Sequence, residues 1–258
     1  MKGFIEFEFD LPEGLLTNLV RVFDSMDTAV LTQENVAQIA DAQGVYQLRL
    51  DGQLVYIGKT DAAAGLRKRL ERHARTIQHR LNLDATRVTF KAVRVFVFTA
   101  IDLETQLIRH YGKIASVAWN FSGFGSNDPG RERDTTNVKP DGFDDQFPID
   151  IDRSLDQFLP SPAKAAAVLA QLRNHLPYIL RFEPARPRTR QPHPELAETD
   201  VSLPQPPHTA RAIIKTVIAT LPAGWQATAF PGRIIIYREN RDYPFGTVIA
   251  RSSLNSPS

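Results

Sequence analysis

Gly44-Val45-Tyr46-Gln47-Leu48-Arg49-Leu50-Asp51-Gly52-Gln53-Leu54-Val55-Tyr56-Ile57-Gly58 reads as two short strands, Val45–Leu50 and Leu54–Gly58, around a tight turn. Asp-Gly between apolar alternation is a strong hairpin signal, because both residues tolerate positive φ. Turn length then fixes the register. A two-residue turn pairs Leu50 with Gln53 and Tyr46 with Ile57, which puts Tyr46 and Tyr56 on opposite faces of the sheet. A three-residue loop, Asp51 to Gln53, pairs Leu48 with Tyr56 and puts both tyrosines on one face.

Outward from the hairpin, Gly65 to Leu81 reads as a helix with Leu66, Leu70, Ala74, Ile77 and Leu81 as its apolar stripe. Arg69 and His73 are four apart and flank that stripe, so they share a face bordering the sheet. Val88 to Phe98 is rich in Val and Phe and reads as a buried strand. Thr99-Ala-Ile-Asp102 is patterned like a capping box and opens a helix to Tyr111. Glu104 precedes Leu107, Ile108 and Tyr111 by three, four and seven residues, so it lies on the apolar face of that helix. A carboxylate there is costly to desolvate unless a cation compensates it, either an arginine or a divalent metal. Trp119-Asn120 follows; by itself it reads as a turn or cap.

Taken in order, Gly44-Val45-Tyr46, Tyr56-Ile57-Gly58, the Arg69–His73 pair, Glu104 and Asn120 resemble the motif set of the GIY-YIG nuclease superfamily. The resemblance implies an α/β fold, a small and mainly antiparallel sheet flanked by helices. It implies an endonuclease that hydrolyses phosphodiester bonds of double-stranded DNA with one Mg²⁺, Mn²⁺ substituting. Tyr46, Tyr56, Arg69, His73, Glu104 and Asn120 are then the catalytic set, with Glu104 as metal ligand and Asn120 orienting groups around it. Either tyrosine fits the base role. Lys59, Arg67, Lys68 and Arg72 are the expected DNA contacts; the bland reading of the last three is a solvated basic face. Such chemistry needs both tyrosines on one face, so the three-residue loop is the expected one. Gly123 to Arg131 is similar to a glycine-rich segment of the GIY-YIG restriction endonucleases that cut CCGCGG, which adds Asn127 and Arg131 as DNA contacts. That likeness covers residues 30–150, but the hairpin is shorter than in that branch and the C-terminal region has no match. The rival readings are a GIY-YIG nuclease of another role (antiphage, mobile-element or repair) and a DNA-binding module without activity.

Elsewhere the 258 residues carry an ordinary globular balance, 42% hydrophobic and 23% charged, with a net charge of +2. Between Gly65 and Val95 there are nine Lys/Arg against two Asp/Glu, a local basic patch suited to phosphates. The absence of cysteine excludes disulfides, thiolate metal sites and cysteine nucleophiles, and fits a cytoplasmic protein. The acidic residues in MKGFIEFEFD argue against a signal peptide, and no apolar run is long enough to span a membrane. Residues 3–9 alternate like a strand, Leu15–Met26 and Thr32–Ala42 read as helices, Gly123–Asp156 as mostly loop, and Ala163–Leu180 as helical spacing with a break expected near Pro177. Residues 184–207 hold seven of the 18 prolines, which divides the chain into a nuclease domain (1–183), a linker (184–208) and a small α+β unit (209–258). That last unit, with a helix over Ala210–Leu221 and strands at Arg233–Arg238 and Thr247–Arg251, is expected to add DNA contact or dimer surface. A homodimer, at least on DNA, is expected because one active site cuts one strand.

Overall fold

The computed structural model describes residues 3–8, 10–96, 102–114, 116–126, 128, 130–135, 138–155, 163–187 and 189–253. It is an α/β protein of two compact units: residues 1–75 with 84–125, and residues 76–83 with 126–258.

The first unit is built on an antiparallel sheet of order β1-β4-β2-β3, formed by β1 (Ala29–Val30), β2 (Gly44–Leu50), β3 (Gln53–Thr60) and β4 (Val88–Arg94). Helix α1 (Leu11–Ser25) and helix α4 (Leu103–Tyr111) cover one face, burying Leu19, Phe23, Leu103, Leu107 and Tyr111 against Val45, Leu54 and Ile57. Each such side chain taken fully out of water contributes about 1.5–3 kcal/mol. Helix α3 (Leu66–Thr76) brings its buried Leu66, Leu70, His73 and Ala74 to the other side, where Tyr46 and Tyr56 lie. Helix α2 (Gln33–Ala37) is shorter than expected, but Thr32 caps it, its side chain accepting from Asn35 N at 3.1 Å.

The hairpin corrects the expected loop while keeping its consequence. The turn has two residues, with Asp51 at φ 51° and Gly52 at φ 77°, and Leu50 does pair with Gln53. A β-bulge follows: Arg49 pairs with Leu54 and Leu48 with Tyr56, which leaves Val55 as the extra residue. The bulge restores the parity that the turn removes, so Tyr46 and Tyr56 face the same way.

Other expectations change too. Residues 3–8 form no strand, and Phe4, Ile5 and Phe7 are exposed; Phe9 lies outside the described residues. Alternation alone does not make a strand where no neighbour supplies backbone partners. Helix α3 stops at Thr76, before positive-φ residues His79 and Asn82 redirect the chain. Strand β4 ends at Arg94 and Phe96 is exposed, while residues 97–101, Thr99 included, lie outside the described residues. Asp102 itself caps α4.

The second unit holds the sheet β10-β8-β9-β6, from β6 (Ile179–Phe182), β8 (Gln226–Phe230), β9 (Arg233–Tyr237) and β10 (Thr247–Arg251). Strand β6 runs parallel to β9; the other pairings are antiparallel. Helices α6 (Ala165–His175) and α8 (Ala210–Thr220) bury Val168, Leu169, Leu172, Ile213, Ile214 and Val217 in its core. The helical spacing over Ala163–Leu180 breaks near Pro177 as expected: α6 ends at His175, and the chain re-enters as strand β6 rather than helix. Among the described residues of 126–155, the mostly loop segment carries helix α5 (Phe143–Gln146) and a 3₁₀ turn (Gly130–Thr135). The proline-rich stretch is no linker. It forms α7 (Pro194–Glu198) and β7 (Asp200–Val201), the latter paired with β5 (Ala163–Lys164), and it buries Leu196 and Val201. Proline at the first helical position and at strand ends suits packed structure as well as tethers.

Candidate active site

The bulged hairpin and α3 assemble an aromatic and cationic cluster in the first unit. The Tyr46 hydroxyl and His73 Nε2 share a hydrogen bond of 2.8 Å, and both residues are fully buried. The Tyr46 and Tyr56 rings lie 6.0 Å apart, and Tyr56 meets His73 edge-on at 5.4 Å. The two phenol hydroxyls interact with each other, and Arg69 faces both. Tyr56 is the more exposed of the pair, at 7%. Gly58 makes room for this arrangement: a Cβ there would stand 2.3 Å from the Tyr46 hydroxyl oxygen.

Electrostatics follow from burial. Desolvation pushes the Tyr46 phenol well above the ordinary tyrosine value; the Tyr56 neighbour adds to this and Arg69 opposes it. Burial, and then the charges of Arg69 and Arg72, lower His73 to about 3, so its ring is neutral at physiological pH. Its Nδ1 has no hydrogen-bond partner, so the Tyr46 contact at Nε2 is what bears on the tautomer. Burial works against the Arg69 charge, but the facing tyrosines outweigh it and raise the guanidinium.

Glu104 lies on the first turn of α4, half-buried, with no hydrogen bond or ion pair to another described residue. Desolvation raises its pKa, Lys59 and Arg69 pull it down, and Asp102 pushes it up. Among the described residues no three His, Asp or Glu side chains are grouped to hold a metal. A half-buried carboxylate with no direct partner among the described residues leaves its oxygens open to a divalent ion completed by water and phosphate, although the Lys59 and Arg69 charges oppose a cation there. Lys59 is engaged: its Nζ donates to Asp102 Oδ1 at 2.7 Å, tying β3 to the cap of α4 and holding Asp102 at about 2. Lys59, Thr60, Asp61, Ala64 and Arg69 line a cleft of about 230 Å³.

Asn120 does something other than orient groups around Glu104. Its side-chain amide donates to Ile57 O at 2.8 Å and accepts from Ile57 N at 2.9 Å, while Trp119 N donates to Val55 O at 2.8 Å. The dipeptide therefore runs along the open edge of β3 and holds the strand that carries Tyr56 and Gly58. Arg67 and Lys68 are drawn to Asp41, at 3.9 and 3.1 Å. Arg72 adds positive potential at His73. Arg131 belongs to the second unit, where it pairs with Glu183 at 3.0 Å and lies over the Tyr237 ring. Asn127 lies outside the described residues.

Sequence reasoning missed Phe124. Its ring stacks on His73 at 4.7 Å with a 16° interplanar angle, and meets Tyr56 and Trp119 at 5.2 and 4.8 Å. Gly125, at φ 70°, lets the chain pass His73, since a Cβ there would come within 2.8 Å of the imidazole. A Phe between glycines was the available signal. A scan against protein-family models matches none, and a search of curated proteins finds no significant relative.

Proposed function

We propose that this chain is a metal-dependent endonuclease for double-stranded DNA, of the GIY-YIG kind and with restriction as its role. The observation that carries the reading is the Tyr46–His73 hydrogen bond inside a set that also contains Tyr56 and Arg69. Tyr56, the more exposed phenol, meets the attacking water. As the water loses its proton to Tyr56, the Tyr56 proton passes to Tyr46, and the Tyr46 proton passes to His73 Nε2. A phenol near pKa ~10 is a weak base alone; the imidazole, held at about 3 by burial and nearby arginines, takes the proton only as negative charge builds on the attacked phosphate. The imidazolium formed is offset by negative charge developing on the phosphate, which Arg69 also stabilises. Glu104 would hold a divalent ion, which supplies Lewis-acid stabilisation of the phosphate and the leaving oxygen. Two copies acting on opposite strands account for double-strand cutting, with nicked circles preceding linear product.

Supercoiled plasmid incubated with the protein should be nicked in Mg²⁺ or Mn²⁺ and left intact in chelator. Glu104→Gln and Tyr46→Phe should each abolish nicking while plasmid still binds. Unchanged cutting by Glu104→Gln would remove the metal assignment, and no cutting by the wild-type chain under any metal would remove the nuclease reading.

A further inference from the structure

We propose that Phe121 is a base-stacking wedge, an exposed aromatic ring one residue along the chain from the Asn120 clamp on the Tyr56 strand, which inserts against nucleobases next to the scissile phosphate. The inference rests on the nuclease reading and adds to it a contact with the bases. Phe121 is 77% exposed, and its φ is 66°. Among the described residues five non-glycines have positive φ, and the other four are Asp51, His79, Asn82 and Asp141. Those are residue types that tolerate the left-handed region; a phenylalanine there is strained. Strain of this sort persists where surroundings over-determine it.

The chain is hydrogen-bonded on both sides. Asn120 is fastened to both main-chain groups of Ile57, Ser122 Oγ donates to Trp119 O at 2.7 Å, and Phe124 N donates to Ser122 Oγ at 3.3 Å. Phe124 then stacks on His73. Phe121 is thus one residue from the clamp on β3 and three from the ring that seals His73. An exposed aromatic side chain on the segment that clamps β3 has a counterpart in the faces of bases, which stack regardless of sequence. Apolar wedges that enter a base step also unstack and bend the duplex, which opens the backbone to attack.

The test uses the full chain and linear plasmid DNA. Phe121→Trp adds an emission, isolated by subtracting the wild-type signal, that should be strongly quenched when plasmid saturates the protein. Phe121→Ala and Phe121→Asn should cut plasmid about tenfold more slowly or worse, while Phe121→Trp stays near wild type. Phe121→Asn should also melt no lower than wild type, since asparagine accepts this backbone conformation. Plasmid binding that leaves the Phe121→Trp emission unchanged overturns the wedge and leaves the nuclease reading standing. Loss of melting temperature in Phe121→Asn, with cutting restored by Phe121→Leu, makes the residue a packing element and also overturns it. A wild-type chain that neither binds nor cuts plasmid overturns both.

Discussion

At the scale of single residues, three neighbouring cations on α3 have different fates. Arg69 is half-buried and faces two phenol hydroxyls, whereas Arg67 and Lys68 lean on Asp41. Preorganised charge contacts at a reacting centre are typically worth about 10²–10³ in rate. Arg69→Ala should therefore lower plasmid nicking by that factor, with Arg67→Ala and Lys68→Ala within a few-fold of wild type. Equal losses at all three would mean a diffuse attraction for phosphate. His73 makes a separate prediction about stability. The unfolded imidazole binds a proton near 6.5, but the folded one resists until about 3. Folding thus has its full strength above the unfolded value and loses it as pH falls between those limits. The direction of the shift makes this one side chain an acid-labile point of the fold. Urea midpoints followed by Trp119, in a Trp225→Phe background, should fall steeply from neutral to mildly acid pH. The fall should be shallower once His73 is replaced by Phe. An unchanged slope would mean that other groups set the acid limit.

At the scale of elements, the β2–β3 hairpin explains both what was legible and what was not. Alternation and Asp51-Gly52 marked the strands and the turn, and the turn does pair Leu50 with Gln53. The bulge at Val55 was invisible, because nothing about a valine in an apolar run distinguishes a bulged position from a paired one. The facing of the tyrosines was correct in outcome and wrong in its device. Helix α3 was legible for a similar reason: Arg69 and His73 sit at a spacing that no register error can separate. The paired role of Asn120 was not, since a side chain that bonds a main chain 63 residues away leaves no local trace. Two glycines in this hairpin separate stability from activity. Gly52 has φ 77° and open space at its Cβ position, while Gly58 abuts the Tyr46 hydroxyl. Gly52→Ala costs about 1 kcal/mol of backbone strain and should leave kcat alone. Gly58→Ala costs about 1–3 kcal/mol by overpacking and must displace Tyr46, so cutting should fall about 10²-fold. Thermal melts and nicking rates for the pair check this; a Gly58→Ala protein with normal kcat would show that Tyr46 is not held in its working position.

At the scale of the whole molecule, the division of the chain differs from the one its prolines suggest. Composition pointed to a tether over 184–208, and a tether would let a chain ending near Glu183 keep a complete nuclease. The observed second unit instead begins at Ser126 and takes in residues 76–83 as well. Proline content did not reveal this, because burial of Leu196 and Val201 depends on strands and helices far along the chain. Ending the chain at Glu183 removes α7, β7, α8 and β8 to β10, and strand β6 loses the parallel partner β9 that holds Leu180 against Ile234. Val168, Leu169, Leu172 and Leu180, each at most 1% exposed, then lose much of their cover. At about 1.5–3 kcal/mol for each large apolar side chain, that exposure exceeds what the 66-residue remnant of the unit, residues 76–83 and 126–183, can offset. The truncated chain should therefore aggregate on expression, or, where soluble, lose residues 126–183 to limited proteolysis that the full chain resists. Trp225 departs with the truncation and Trp119 stays, so fluorescence then reports the first unit alone. A soluble chain ending at Glu183, protease-resistant through residues 126–183 and active on plasmid, would restore the tether and mean that the packing of β6 on β9 is dispensable.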